Sequence, residues 1–287
     1  MTSSKRLRMV EFVAPGVEAV ADVLGLFENQ GLELEVIRPR SAAEKREVLM
    51  SGGGDAMLTA IDNAIAWDAG GDDLRLVAQV ERTTVLDLVA QPDIASVADL
   101  RGHHLAVDAV DTGFAIVLRK ILLDHGLGPG EYELVPAGGL NERFEALVAE
   151  RAAAGLLGPP WNVRATDAGL HALTTLEDAF PRFPGIGLLV RESRMAELAD
   201  AVGRYLAALD GAMNWADHAD STAAIQRLID AGFDDRSARA LMAVWPDALV
   251  PSRDGVELLY AIRRELGVLP DAAPTVDQLI VSLGGLP

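Results

Sequence analysis

The chain has 287 residues, half of them apolar and only 5% aromatic. At ~150 residues per domain this suggests two domains with cores built mainly from Ala, Leu and Val. A formal charge of −18 weighs against nucleic acid as a partner, since the only dense basic group is Lys5, Arg6 and Arg8 at the start. There is no cysteine, which excludes thiol nucleophiles, disulfides, iron–sulfur clusters and thiolate zinc sites.

Taken in chain order, Leu7–Val13 reads as a strand, and 17–30 as a helix stopped by Gly31. Leu32–Ile37 is a second strand. Ser41 and Glu44 have capping-box spacing ahead of a helix that stops at GGG, 52–54. Ala56–Thr59 is a short buried strand. Thr59 with Asp62 repeats the capping-box spacing before a helix through Trp67. Leu74–Val80 and Val85–Ala90 are further strands. QPDIASVADLRG (91–102) marks a break, with one helical turn at Ser96–Leu100.

A new series begins at His104–Val107. It continues with a helix over 114–125, a strand over 132–136, a helix over 141–151 and a strand at Ala153–Leu157. GPPW (158–161) ends that strand, PRFPG (181–185) is a second break, and Ile186–Val190 is a strand. From Ser193 onward the pattern is helical, over 193–216, 221–231, 235–244, 254–266 and 275–283. Strands alternating with helices point to parallel sheets covered by helices. The two breaks suggest an outer lobe made of 1–91 and 185–287, with an inner lobe, 92–184, inserted into it.

The start, MTSSKRLRMVEFVAPG, is basic, but its apolar part is short and carries Glu11. A secretory signal needs ~7–15 uninterrupted apolar residues and a small-residue cleavage site. No run of ~18 apolar residues suggests a membrane span. As written, the chain reads as cytoplasmic. A mis-set start or a removed signal would make it periplasmic or extracellular.

Several phrases carry a family resemblance: GLFENQGLELEV (25–36), SGGGDAMLTAIDNAIAW (51–67), SVADLRGHHLAVDAVDTGFAIVLRKILLDHGL (96–127) and GGLNERFEALVAERAAAGLLGPP (138–160). Together they resemble the type II periplasmic-binding-protein fold. Within it they resemble the alkanesulfonate, nitrate and taurine-binding branch, which also contains the thiamine-pyrimidine-synthase type. The resemblance covers roughly residues 7–190. It implies an α/β protein of two lobes, each a mainly parallel sheet flanked by helices, with a helical C-terminal region and a small molecule bound between the lobes. Most relatives are substrate-binding proteins of ABC importers, and a minority are cofactorless enzymes. Without cysteine, the nucleophile of the sulfinate desulfinases and the cysteine-rich motif of the pyrimidine synthases are both missing.

In open α/β sheets, ligands lie beyond the carboxyl ends of the strands, near helix N-termini. That rule selects Ala14, Pro15 and Gly16 after the first strand, and Thr59, Asp62 and Asn63 after the third. It also selects Asp111, Thr112, Gly113 and Phe114, and then Pro160 and Trp161. Thr59 and Asp62 read equally well as helix caps. Gly113 costs helix stability, which is explicable if backbone must approach a ligand. Phe114 reads more naturally as core, and Trp161 as core or as a pocket wall.

Arg82 is a candidate anion contact. Arg143, in a first helical turn, reads as an ion pair with Glu142 or Glu145, or as a partner for a ligand carboxylate. Glu11 is anomalous in an apolar strand. The five histidines lack ligand spacing, and no HExxH or GxSxG occurs, so neither a metal site nor a serine hydrolase is expected.

Two functions follow. The first is an organic-solute binding protein of the ABC-importer type, closing two lobes on its ligand. The second is a cofactorless lyase, decarboxylase or hydrolase using Asp62, Asp111 or Glu11 as general acid or base. No cofactor is expected. Partners would be the small organic ligand and, for the importer type, an ABC permease, with the chain a monomer or homodimer.

Overall fold

The computed structural model describes residues 4–282. The chain opens with β1 (Lys5–Val10), α1 (Gly16–Val23), α2 (Leu26–Asn29), β2 (Leu32–Ile37), α3 (Ala42–Met50), β3 (Ala56–Ala60), α4 (Ile61–Ala69) and β4 (Leu74–Gln79). It continues through β5 (Asp87–Ala90), β6 (His104–Val107), α5 (Gly113–Asp124), β7 (Glu133–Pro136), α6 (Leu140–Val148), β8 (Ala154–Leu157), α7 (Trp161–Asp167), β9 (His171–Thr175) and α8 (Leu176–Ala179). It closes with β10 (Ile186–Arg191), α9 (Met195–His218), α10 (Ser221–Asp230), α11 (Asp235–Ala243), α12 (Arg253–Glu265) and α13 (Val276–Leu279).

The described residues fall into two compact units. Unit 1 holds those up to Thr83, Pro184–Val256 and those from Pro270 on, while unit 2 holds Thr84–Phe183 and Glu257–Leu269. β5 lies ahead of the break expected at 92 but belongs to unit 2, because both of its ladder partners, β8 and β9, are there.

The unit 1 sheet has the order β2-β1-β3-β10-β4. β1, β2 and β3 are parallel, and β10 runs antiparallel between β3 and β4. All five residues of β3 are buried, as expected for a strand covered on both faces. The core gathers Leu7, Met9, Leu58, Val77 and Leu188 from the sheet with Val20, Phe27, Val202, Tyr205 and Leu209 from the helices. The Phe27 and Tyr205 rings stack with centroids 5.6 Å apart. The unit 2 sheet has the order β7-β6-β8-β5-β9, with β6, β7 and β8 parallel and β5 antiparallel to both neighbours. Val89, Ala106, Leu147, Leu157 and Ala165 form its core.

Several boundaries differ from expectation for identifiable reasons. β1 ends at Val10, and the last tie of Glu11 to the sheet is its N–H to the carbonyl of Ile37 at 3.0 Å. Phe12 and Val13, read as strand, are exposed loop. The helix expected over 17–30 breaks at Gly25, whose φ of 67° is left-handed and carries no steric cost without a Cβ. The 161–180 stretch, which has no clear period, holds α7, β9 and α8. The helix read over 275–283 covers Val276–Leu279, and its last expected residue lies outside the described residues.

Two caps were read from spacing, and one stands. Ser41 accepts the Glu44 N–H at 3.1 Å, while the Glu44 carboxylate reaches back to the Arg40 N–H at 2.7 Å, one residue before the usual partner. Replacing Ser41 by Ala should cost ~1 kcal/mol, read as a lower denaturant midpoint with unchanged slope. Thr59 is not a cap. β3 runs on to Ala60, which is the N-cap of α4 and makes no side-chain bond.

Candidate functional site

Parallel pairing brings the carboxyl ends of β1, β2 and β3 to one edge of the unit 1 sheet. The expected residues Ala14, Pro15 and Gly16 lie there, where α1 begins at a Pro15 N-cap without a side-chain bond. Gly16 is small for packing: a Cβ would stand 3.2 Å from the Cβ of Leu241 on α11. Thr59, Asp62 and Asn63 are all buried. The Thr59 hydroxyl accepts a hydrogen bond from the Asn63 amide at 3.0 Å, so these two form a buried polar pair where β3 meets α4. Arg82 is exposed and anchors α11: its N–H bonds the carbonyl of Val244 at 2.8 Å, and its guanidinium that of Ala243 at 2.9 Å.

The same edge carries a charge cluster that the sequence did not announce. Glu11, just past β1, is fully buried, and Glu18 in the first turn of α1 is 3% exposed. The Tyr205 hydroxyl donates to Glu18 Oε2 at 2.5 Å. Burial pushes the Glu18 carboxyl well above the usual carboxylate range, and the negative charge of Glu11 pushes it further. Glu11 is also raised by burial, against the opposing pull of Arg38 and Lys45. Both acids therefore keep their protons to higher pH than an exposed carboxyl does, Glu18 more strongly than Glu11. Lys45 on α3 is 2% exposed, donates to the carbonyl of Leu58 at 2.9 Å and lies 3.6 Å from the centre of the Phe12 ring. Burial draws its ammonium down to about 7.

In unit 2, the carboxyl ends of β6, β7 and β8 meet in the same way. Thr112 caps α5, accepting the Ala115 N–H at 3.4 Å and donating to Asp108 at 2.6 Å. Asp111 is exposed and Gly113 is buried as the first residue of α5. Phe114 is only half-buried, whereas Val117, Leu118, Ile121 and Leu122 are buried, so Phe114 departs from the core stripe it was assigned to. Pro160 follows a cis peptide bond and caps α7. Trp161 is half-buried, with Phe144 at 5.3 Å on one side and the Arg164 guanidinium at 4.5 Å. Beside it, Asn162 donates to Asp87 at 2.9 Å, and burial raises the Asp87 carboxyl.

Arg143 is the centre of this edge. It is 3% exposed. Its Nη1 donates to the carbonyl of Leu156 at 2.7 Å, and its Nε to that of Gly139 at 3.3 Å. Glu142 and Asp108 act on it only through space, and burial draws its pKa down. The ion pair expected with Glu142 or Glu145 is absent, because Glu145 is held by Asn141 at 3.0 Å. A buried cation bonded to carbonyls alone, in the first turn of α6, is under-neutralised.

His103 and His104 lie at the opposite end of the sheet. There they line an open cavity of about 550 Å³ with Asp93, Glu150 and Arg151.

Two mainly parallel units whose polar residues collect at strand ends define the class of two-lobed solute-binding folds. The chain belongs to the NMT1/THI5 like family, whose model matches residues 17–222. The alkanesulfonate-binding protein SsuA of Xanthomonas axonopodis pv. citri, solved bound to MOPS, is similar at 19% identity. Its TM-score is 0.81, over 98% of this chain and 100% of that one. The periplasmic aliphatic sulphonate binding protein SsuA of Escherichia coli gives 0.73 at 17% identity, over 97% and 98%. The Candida albicans CA3427 gene product, which has the generic periplasmic binding protein fold, gives 0.78 at 11% identity, over 96% of each chain. No curated protein matches the sequence. No described helix is long and apolar enough to cross a membrane.

Proposed function

We propose that this chain is the solute-binding component of an ABC-type importer and that its ligand is a small organic molecule carrying an anionic group. The observation that carries the reading is Arg143: a buried guanidinium bonded only to carbonyls, at the strand ends of unit 2 and in the first turn of α6. An incoming carboxylate or sulfonate would supply the charge it lacks, through short charge-assisted hydrogen bonds. Thr112, Gly113 and Trp161 would line the same edge, with the Trp161 ring against the apolar body of the solute.

The sulfonate ligands named for the Xanthomonas and Escherichia coli proteins support an anion. The periplasmic setting of the Escherichia coli protein supports work outside the cytoplasm, with a permease as partner. Titration calorimetry with 1-propanesulfonate tests the anion directly. Saturable binding at one site per chain is expected. Absence of binding by 1-propanesulfonate and by matched carboxylates would refute the reading.

A further inference from the structure

In the buried cluster of unit 1 the carboxyls of Glu11 and Glu18 lie within hydrogen-bonding reach of each other. An ionised carboxylate accepts and cannot donate, so the two can bond only while one of them carries a proton. Glu11 gets no help from the neighbouring donors. Both of its oxygens are buried, and no N–H or other hydroxyl donates to either. Three groups from other segments face the pair: Arg38 after β2, Lys45 on α3 and Tyr205 on α9. The Tyr205 hydroxyl goes to Glu18, and Lys45 Nζ goes to the carbonyl of Leu58. Arg38 Nη1 donates to the carbonyl of Phe12 at 3.1 Å and stands 3.3 Å from Glu11 Oε1 without pointing an N–H at it.

Arg38 matters because of what it holds. The loop 11–15 joins β1 to α1 and carries Ala14 and Pro15 along the carboxyl edge of the unit 1 sheet. One end is tied by the Glu11 N–H to the carbonyl of Ile37, the other by the Ala19 N–H to the carbonyl of Pro15, both at 3.0 Å. Between them Phe12 and Val13 are exposed, so burial does little to hold the middle. The bond from Arg38 to Phe12 fastens it. Tyr205 and Lys45 are buried in place, whereas the Arg38 side chain is more than half exposed and can turn.

We propose that Glu11 and Glu18 form a proton-operated latch on the loop 11–15: a proton shared between the two carboxyls leaves Arg38 on the Phe12 carbonyl, and loss of that proton turns Arg38 onto Glu11 and frees the loop. With the proton in place, Glu18 satisfies Glu11 and the strap stays on Phe12. When the proton passes to solvent, two negative charges face each other out of water. Arg38 is then drawn to Glu11, at the expense of Phe12. Burial raises both carboxyls, and the charge of Glu11 raises Glu18 further, so the latch opens above the ordinary carboxylate range and in the direction of rising pH. Lys45, drawn down to about 7 by burial, loses its charge as the pH climbs and stops offsetting that of Glu11. The device lies within unit 1 and stands whether or not a solute binds.

Amide hydrogen exchange on the full chain without ligand tests the latch, with each protection factor taken against the intrinsic rate at that pH. Between about pH 5 and about pH 9, protection of the segment 11–19 should fall at least about tenfold relative to β3, the equivalent of one pKa unit. Glu18→Gln supplies an N–H to Glu11 at every pH and should keep the segment protected throughout. Glu11→Gln should do the same, so either variant serves if the other does not fold. Lys45 is present in wild type and variants alike, so its own titration does not separate them. Arg38→Met removes the strap and should leave the segment poorly protected at both pH values, with β3 and unit 2 unchanged. Protection independent of pH in the wild-type chain, the same fall in folded Glu18→Gln or Glu11→Gln, or wild-type protection in Arg38→Met would overturn the proposal.

Discussion

Replacing Glu18 by glutamine should stabilise unit 1, and the gain should grow as the pH rises. Glu18 is 3% exposed, and its carboxyl is held well above the usual range, first by burial and then by the charge of Glu11. A carboxyl whose folded pKa is raised contributes stability that is fully present below its unfolded pKa and is lost as pH climbs through the folded value. The wild-type chain therefore loses this contribution progressively from about pH 5 upward, at about 1.4 kcal/mol for each pH unit in which the folded group alone keeps its proton. Glutamine needs no proton to offer an oxygen to the Tyr205 hydroxyl and an N–H to Glu11. The difference in stability between variant and wild type should be smallest at pH 4–5 and grow in favour of the variant as the pH rises above that.

Each kcal/mol of that difference moves Tm by about 2–4 °C for a domain of this size, so it is read as a gap between the two Tm curves that widens with pH. Lys45 works in the opposite direction. Its ammonium is drawn down to about 7 by burial, so its contribution rises with pH between about 7 and the ordinary lysine range. Because Lys45 is present in both proteins, the difference between their curves isolates Glu18. A difference independent of pH would show that Glu18 is not the buried, proton-holding member of the pair. Tyr205→Phe should destabilise by ~1–3 kcal/mol at low pH, because it removes the hydroxyl that Glu18 accepts.

The second large effect is on binding. Arg143→Met keeps much of the aliphatic stem at a position buried, like Ala146 and Leu147, on α6, but removes the buried cation. Affinity for 1-propanesulfonate should fall roughly 10- to 100-fold, the worth of a hydrogen bond to a charged group. Arg143→Lys keeps the charge but not the fork that spans the Leu156 and Gly139 carbonyls, and should lie between the two. If folded Arg143→Met binds 1-propanesulfonate as tightly as the wild type, the guanidinium is structural and the anion is held elsewhere.

How much of this was legible before the structure depends on the range of the interactions. β2 and β6 follow from local pattern and appear at the residues expected. The Ser41 cap is equally local. Thr59 shows the limit of spacing: T-A-I-D fits a capping box, but cross-strand pairing carries β3 one residue further, and the threonine becomes the acceptor for Asn63. Arg143 shows it again. Its sequence neighbours are acidic, yet Glu145 is taken by Asn141, and the carbonyl it reaches, that of Leu156, lies on another element.

Glu11 was visible as an anomaly, a charge in an apolar run. Its partners were not, because Glu18, Arg38, Lys45 and Tyr205 come from four other segments. A weak signal existed for Glu18, a charge set among Val17, Ala19, Val20 and Ala21, all of which are buried. α7, β9 and α8 left almost no period, because β9 is an edge strand with no buried face.

Native mass spectrometry of the purified chain tests the central claim most directly. A noncovalent adduct of one small organic acid per chain is expected. It should be released on denaturation and remain chemically unchanged after prolonged incubation with the protein. Recovery of a converted product in place of the added solute, or a bound ligand with no acidic group, would contradict the account and favour the cofactorless enzyme instead.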